Sequence, residues 1–189
     1  MIVIGASLGG MKAVRTILPL LPRNFPAALA VVLHRHREAD DALVHLLQQE
    51  SRLPISEVVD KEPICPGRVY LAPPDYHLLV ERDYFSLSTD DPVQYARPSI
   101  DVLFESAADI FGPDVIALVL TGANQDGARG ALRIQEKGGL VLIQDPATAE
   151  SPVMPMAALE STGITQVHSL EKMAALLAEL LVSPAAKKS

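Results

Sequence analysis

The chain has 189 residues, 49% of them hydrophobic, enough to bury a full core in one domain without a metal or disulfide staple. Its formal charge of −7, from 16 Lys+Arg against 23 Asp+Glu, argues against a nucleic-acid surface, and the single cysteine, Cys65, excludes an internal disulfide framework. Charges or prolines interrupt every apolar stretch before membrane-spanning length and the first residues lack a basic leader, so the expectation is a soluble cytoplasmic protein with no membrane insertion.

In chain order, the apolar run 2–4 predicts a first strand. A glycine-rich string follows, and residues 11–21 place Val14, Ile17, Leu18 and Leu21 near helical spacing. Residues 28–33 predict a second strand ended by His34, and residues 39–49 a helix carrying Leu43, Leu46 and Leu47. The middle breaks this rhythm. Runs 68–71 and 77–80 read as strands around Ala72-Pro-Pro-Asp-Tyr76, with 84–88 a third, which predicts an antiparallel excursion at the edge of the domain. Residues 100–111 predict a helix through Leu103, Phe104, Ala107 and Phe111, capped by Ser99 and stopped by Gly112-Pro113. Then come a strand at 115–120, a helix at 128–137 ended by Gly138-Gly139, a strand at 140–143 and an amphipathic helix at 170–181. Strand and helix alternate as in an α/β layered domain with a mostly parallel sheet. No linker interrupts it, so residues 1–182 are read as one domain and 183–189 as a flexible tail.

Three polar residues stand at strand exits. Gly5-Ala-Ser-Leu-Gly9 fits the G-x-S-x-G elbow, in which a tight turn lifts a serine hydroxyl above the sheet and a helix start offers amides to a developing oxyanion. The plainer alternative is a turn that packs the first strand on its helix or cradles an anion. A dinucleotide site is disfavoured, because Gly5, Gly9 and Gly10 do not give G-x-G-x-x-G and His34 stands where a ribose-binding acid belongs. At the second exit, a neutral His34 imidazole can take the Ser7 proton and return it to a leaving alcohol. His36, His45, His77 and His168 compete: His45 falls in a helix, His77 and His168 in strands, and His36 is near enough to shape the pocket. At the third, Asp126 can turn against an imidazole and fix its tautomer, or serve as a simple helix cap. The order Ser, His, Asp differs from that of the α/β-hydrolases. A metal held by His34, His36 and Asp40 or Asp41 has little support, since no H-E-x-x-H spacing or distant ligand set accompanies it.

The strings Ile4-Gly-Ala-Ser-Leu-Gly-Gly10, Val31-Val-Leu-His34, Pro66-Gly-Arg-Val-Tyr-Leu-Ala-Pro73, Arg97-Pro-Ser-Ile-Asp-Val-Leu-Phe104, Leu120-Thr-Gly through Asp126-Gly-Ala-Arg-Gly130, and Gln144-Asp-Pro146 followed by Met154-Pro155 resemble the catalytic domain of the chemotaxis protein-glutamate methylesterases (CheB) over almost the whole chain. The resemblance implies a doubly wound, mostly parallel sheet flanked by helices with a local antiparallel hairpin. It implies Ser7 as nucleophile, His34 as general base and acid, and Asp126 as the group orienting His34, with no cofactor. The implied reaction is hydrolysis of glutamate γ-methyl esters on the cytoplasmic domain of a chemoreceptor, releasing methanol, with deamidation of receptor glutamines as a second activity. Arg97, Arg129 and Arg133 become candidates for gripping an acidic receptor surface.

The chain departs from the family around the implied site. Leu8 replaces a threonine, Ala123-Asn124 a methionine-glycine pair, and Arg35-His36 a methionine-proline. Leu8, Gly9, Ala123 and Asn124 are therefore the expected oxyanion and pocket residues. Family members commonly carry an amino-terminal receiver domain, whereas this chain opens at the first strand. That leaves a stand-alone esterase under a separate regulatory protein or controlled by expression, or a piece of a longer chain. A different functional class also stays open: a catalytically weakened module that binds or scaffolds receptors.

Overall fold

In a computed structural model describing residues 1–34 and 42–182, the apolar runs become strands of a six-stranded sheet. In chain order the elements are β1 (Ile2–Ala6), α1 (Gly10–Ile17), β2 (Leu29–Leu33), α2 (Ala42–Glu50), β3 (Ile55–Glu57), β4 (Val69–Leu71), β5 (His77–Val80) and β6 (Phe85–Ser88). They continue as α3 (Ile100–Phe111), β7 (Ile116–Val119), α4 (Ala128–Glu136), β8 (Leu140–Ile143), α5 (Val153–Thr162) and α6 (Leu170–Val182). The sheet order is β3-β4-β2-β1-β7-β8 with every pairing parallel, while β5 and β6 form a separate antiparallel pair. The expected α/β fold is thus present, a doubly wound sheet with a local hairpin. No helix among the described residues is long and apolar enough to cross a membrane.

Alternating side chains divide the core in two. Ile2, Ile4 and Ala6 of β1, with Leu29, Val31 and Leu33 of β2, face α1, α2 and α6 through Val14, Ile17, Leu47, Met173 and Leu177. Val3, Ala30 and Val32 face the opposite layer of α3, α4, α5 and the hairpin, through Phe85, Leu103, Phe104, Ile134 and Met154. Both faces are covered, so the strands are near-continuous apolar runs. The chain winds outward from β1 through β2 to β3 and β4, then crosses by α3 to β7 on the other side of β1. Beyond the carboxyl ends of β1, β2 and β7 this reversal leaves a crevice.

Four sequence expectations change. The run 68–71 is not part of an antiparallel excursion: β4 inserts into the main sheet parallel to β2 and β3, and only β5 and β6 make the hairpin. His168 makes an isolated bridge with Gln144 rather than lying in a strand. The helix expected over 11–21 stops at Ile17 and tightens into a 3-10 turn at Leu18–Leu20, since Pro19 has no amide to continue an α-helix. Ser99 occupies the cap position of α3 but makes no side-chain cap bond there. The positions 39–41 expected to open α2, and the tail 183–189, lie outside the described residues.

A carboxylate from elsewhere caps α3. Asp126 Oδ2 accepts from Ile100 N at 2.7 Å and Oδ1 from Asp101 N at 2.9 Å, while the Ser99 hydroxyl donates to Oδ1 at 2.8 Å. A charged acceptor at the positive end of a helix outcompetes a neutral hydroxyl. The exchange is reciprocal, because Asp101 Oδ1 accepts from Gly127 N at 3.0 Å and Gly130 N at 2.8 Å, at the start of α4. The two helices also meet closely: a Cβ on Gly130 would lie 2.5 Å from Phe104 Cβ. Outside, Arg129 pairs with Glu105 at 2.5 Å and Arg133 with Asp109 at 2.8 Å.

Burial pushes the Asp101 carboxyl above its usual range; the Gly130 amide opposes this, while nearby Asp126 and Glu105 add to it. A raised folded value makes ionisation costly, so this group's contribution to stability is full below the ordinary aspartate range and is lost as pH rises through the folded value. Urea unfolding at pH 7 should therefore find Asp101→Ala less stable by about 3 kcal/mol, because two buried amides lose their acceptor. Asp101→Asn keeps that acceptor without the charge and should fall within about 1 kcal/mol of wild type, its relative standing improving as pH rises.

Candidate functional site

Parallel pairing continues past the strand ends and fixes the spacing of the crevice residues. His34 N donates to Ala6 O at 3.0 Å, Leu120 N to Gly5 O at 3.0 Å, and Ser7 N to Thr121 O at 3.0 Å. The first residue after β1 and the first after β2 are thereby held side by side, with the β7 exit on the other flank. Gly10 N closes the turn on Ser7 O at 2.8 Å, and Gly9 sits at φ 78°, where a side chain would be strained and would also meet Glu150 Cβ at 2.6 Å. Behind the serine, the missing Cβ of Gly122 leaves room for Ser7 Cβ at 3.0 Å and the Met154 thioether methyl at 2.5 Å. Thr121 Oγ1 donates to Leu8 O at 2.8 Å, tying the β1 and β7 exits together.

His34 and Asp126 form the electrostatic centre. Asp126 is fully buried, and the His34 side chain is 14% exposed, with Nε2 and Oδ2 2.9 Å apart. Burial alone raises the Asp126 carboxyl, but the imidazole, the Asp101 and Ile100 amides and the Ser99 hydroxyl together hold it below the usual carboxylate range. Asn124 completes the network: its Oδ1 accepts from Asp126 N at 3.2 Å, which turns Nδ2 toward His34 Nδ1, also at 3.2 Å. An amide N–H aimed at Nδ1 requires a lone pair there, so the neutral ring carries its proton on Nε2, donated to Asp126. Among the described residues no hydrogen bond joins the Ser7 hydroxyl to the imidazole.

These side chains open into a cavity of about 440 Å³ lined by Ser7, His34, Asn124 and the segment 94–98. Among the described residues that line it, Arg97 is the one cation and none is a carboxylate. Leu8 and Ala123 are exposed beside it, and their amides donate to no protein acceptor among the described residues. A hydroxyl, an imidazole with an unprotonated nitrogen, an anchored carboxylate and unpaired amides form a set able to perform acyl transfer.

The other described histidines are engaged elsewhere. His45 is exposed on α2 against Gln49, and buried His77 accepts from Ser99 N at 3.2 Å and contacts Asp91 O at 3.1 Å. His36, Asp40 and Asp41 lie outside the described residues, and no metal-binding cluster of His, Cys, Asp or Glu occurs among those described. Of the three arginines expected to grip a partner, Arg129 and Arg133 are spent on α3 carboxylates, and only Arg97 lines the cavity. The roles of Ser99, Met154 and the 94–98 segment escaped the sequence reading. Ser99 and Met154 stand in recognisable strings, but only the fold brings them to Asp126 and Ser7.

The CheB methylesterase family model matches residues 2–177. A relative from Leptospira interrogans, provisionally named a protein-glutamate methylesterase/protein-glutamine glutaminase, is 47% identical over 180 residues, covering 95% of this chain and 93% of its own. The protein-glutamate methylesterase FrzG of Myxococcus xanthus is 38% identical over 94% of this chain and 53% of its own length. The crystal structure of the Thermotoga maritima CheB methylesterase catalytic domain superposes with a TM-score of 0.92 at 35% identity, covering 95% of this chain and 97% of that one. By sequence along nearly its whole length and by fold, the chain belongs to the CheB methylesterase family.

Proposed function

We propose that the protein is a serine hydrolase that cleaves glutamate γ-methyl esters on the cytoplasmic domain of a chemoreceptor and releases methanol. The observation that carries this reading is the bond between His34 Nε2 and buried Asp126, 2.9 Å long, at the cavity that Ser7 also lines. With Nε2 committed to Asp126, Nδ1 is the ring nitrogen left for the serine proton. The names of the relatives, protein-glutamate methylesterase and protein-glutamine glutaminase, support the same substrate class.

In this mechanism Asn124 moves off Nδ1 and Ser7 Oγ takes its place. Oγ attacks the ester carbonyl carbon as its proton passes to Nδ1, and the carbonyl oxygen becomes an oxyanion that the free amides of Leu8 and Ala123 can meet. Collapse breaks the bond to the methoxy oxygen, which takes the proton from Nδ1 and leaves as methanol. Water then gives a proton to Nδ1 and attacks the glutamyl-serine ester. The second collapse returns that proton to Ser7 and frees the glutamyl carboxylic acid, which gives its remaining proton to solvent to become the carboxylate. The same steps on a glutamine side chain release ammonia. Throughout, Asp126 stays ionised and stabilises the transient imidazolium.

Methanol release from a methylated receptor cytoplasmic fragment should fall by about a thousandfold or more in Ser7→Ala and His34→Ala, with the melting temperature of Ser7→Ala near wild type. Release that survives Ser7→Ala contradicts the reading, and binding without any turnover by wild type favours the receptor-binding alternative.

The depressed Asp126 carboxyl fixes a pH dependence. Its stabilising contribution is full above the unfolded aspartate value of about 3.9 and is lost as pH falls through the lower folded value. Urea titrations between about pH 6 and pH 2.5 should show this acid loss in wild type and a flatter profile in Asp126→Asn.

Asn124 competes with Ser7 for Nδ1 while supporting Asp126 N. Asn124→Ala should therefore speed fluorophosphonate labelling of Ser7 by about three- to tenfold, yet cost about 1 kcal/mol of stability. Slower labelling would contradict the competition.

A further inference from the structure

Between the hairpin and α3, the chain presents an aromatic ring that its own packing does not explain. Val93 N donates to Ala96 O at 3.1 Å and Ala96 N to Val93 O at 2.9 Å, closing a two-residue turn in which Gln94 and Tyr95 have φ of 48° and 64°. Both are left-handed positions that favour glycine, asparagine or aspartate, so a glutamine and a tyrosine there are strained. The turn is held from beneath. Gln94 Nε2 donates to Asp101 Oδ2 at 3.0 Å, and Arg97 Nη1 donates to Thr89 O at 2.9 Å and Asp90 O at 3.0 Å. At its tip Tyr95 is fully exposed, at 103%, the most exposed large apolar side chain among the described residues. The same turn lines the cavity of Ser7 and His34.

A strained turn, braced by the carboxylate that also caps α4, that lifts a bare ring at the rim of a reactive cavity is a device for contact with something outside the chain. A glutamyl side chain is short, so an ester that reaches Ser7 draws its own backbone down to the rim that segment 94–98 forms. A tyrosine there meets that backbone with a large, stiff surface of few rotors and one polar end. We infer that Tyr95 is the docking residue for the substrate protein, holding the surface that flanks the esterified side chain. The rim suits a surface rich in carboxylates and side-chain amides: among the described residues it is lined by the amide side chains of Gln94 and Asn124 and the cation of Arg97, and by no carboxylate. The inference rests on the reading of Ser7 as nucleophile.

The test compares wild type, Tyr95→Ala and Tyr95→Gly in two assays, methanol release from a methylated chemoreceptor cytoplasmic fragment and fluorophosphonate labelling of Ser7. Both variants should raise KM for the fragment by about tenfold or more, with kcat and labelling rate within about twofold of wild type. Tyr95→Gly should also raise the melting temperature by relieving the left-handed φ, a gain in stability alongside a loss of binding that a purely structural role does not produce. An unchanged KM in both variants overturns the inference, as does a labelling rate that falls in step with turnover, which makes the turn a strut of the cavity. A wild-type protein that neither labels nor releases methanol overturns the reading of the site, and this inference with it.

Discussion

The Asp126 carboxylate lies at the positive end of α3, fully buried, and accepts four hydrogen bonds from Ile100 N, Asp101 N, Ser99 Oγ and His34 Nε2. A lone carboxylate buried this deeply would protonate; the four donors keep it charged. Three of them belong to the start of α3, so the helix end and the charge stabilise each other, and neither can move without exposing the other's unmet bonds. The fourth is the imidazole. The ring orientation beside Ser7 is therefore set by the same contact that seats a helix across the sheet.

This sharing links the site to the fold through several steps. Asp101, in the first turn of α3, returns the cap to α4 and also holds Gln94 below the exposed turn. Gly5 lets α3 approach β1, since a Cβ there would stand 2.3 Å from Ile100 Cγ2. The two buried acids are pulled in opposite directions, Asp101 upward by burial and Asp126 downward because its donors outweigh burial. The acid with more donors is the one that faces the imidazole, where a fixed negative charge is of use. The α3–α4 pair is thus a brace that holds a charge in place, and the crevice at the switch in strand order is where that charge meets the imidazole.

Much of this was legible in the residues. Apolar runs covered on both faces announce inner parallel strands, and three polar residues at three strand exits must gather if those strands are adjacent and parallel, as β2, β1 and β7 are. The bounds of α3 could be read almost to the residue, because its apolar period is clean and Gly112-Pro113 stops it. What escaped is non-local or aperiodic. α5 has apolar residues all round and Pro155 in its first turn, so it gives no helical period. β4 pairs with β2 over three residues, too few to tell parallel from hairpin pairing, and the proline-rich turn after it favours the wrong choice. Asp126 reads locally as a cap for α4, whereas the helix it caps starts 26 residues earlier. The Asn124 amide on Nδ1 could not be foreseen from a departure in one loop, because its direction is set by the Asp126 backbone.

Nitrogen-15 NMR of the His34 ring, assigned by its loss in His34→Gln, tests the central claim most directly, since that claim concerns which nitrogen Asp126 occupies. The account predicts that the neutral imidazole carries its proton on Nε2 and leaves Nδ1 with the shift of an unprotonated nitrogen, and that Asp126→Asn disturbs this preference. A neutral ring protonated on Nδ1, or an even mixture of tautomers in wild type, would contradict it.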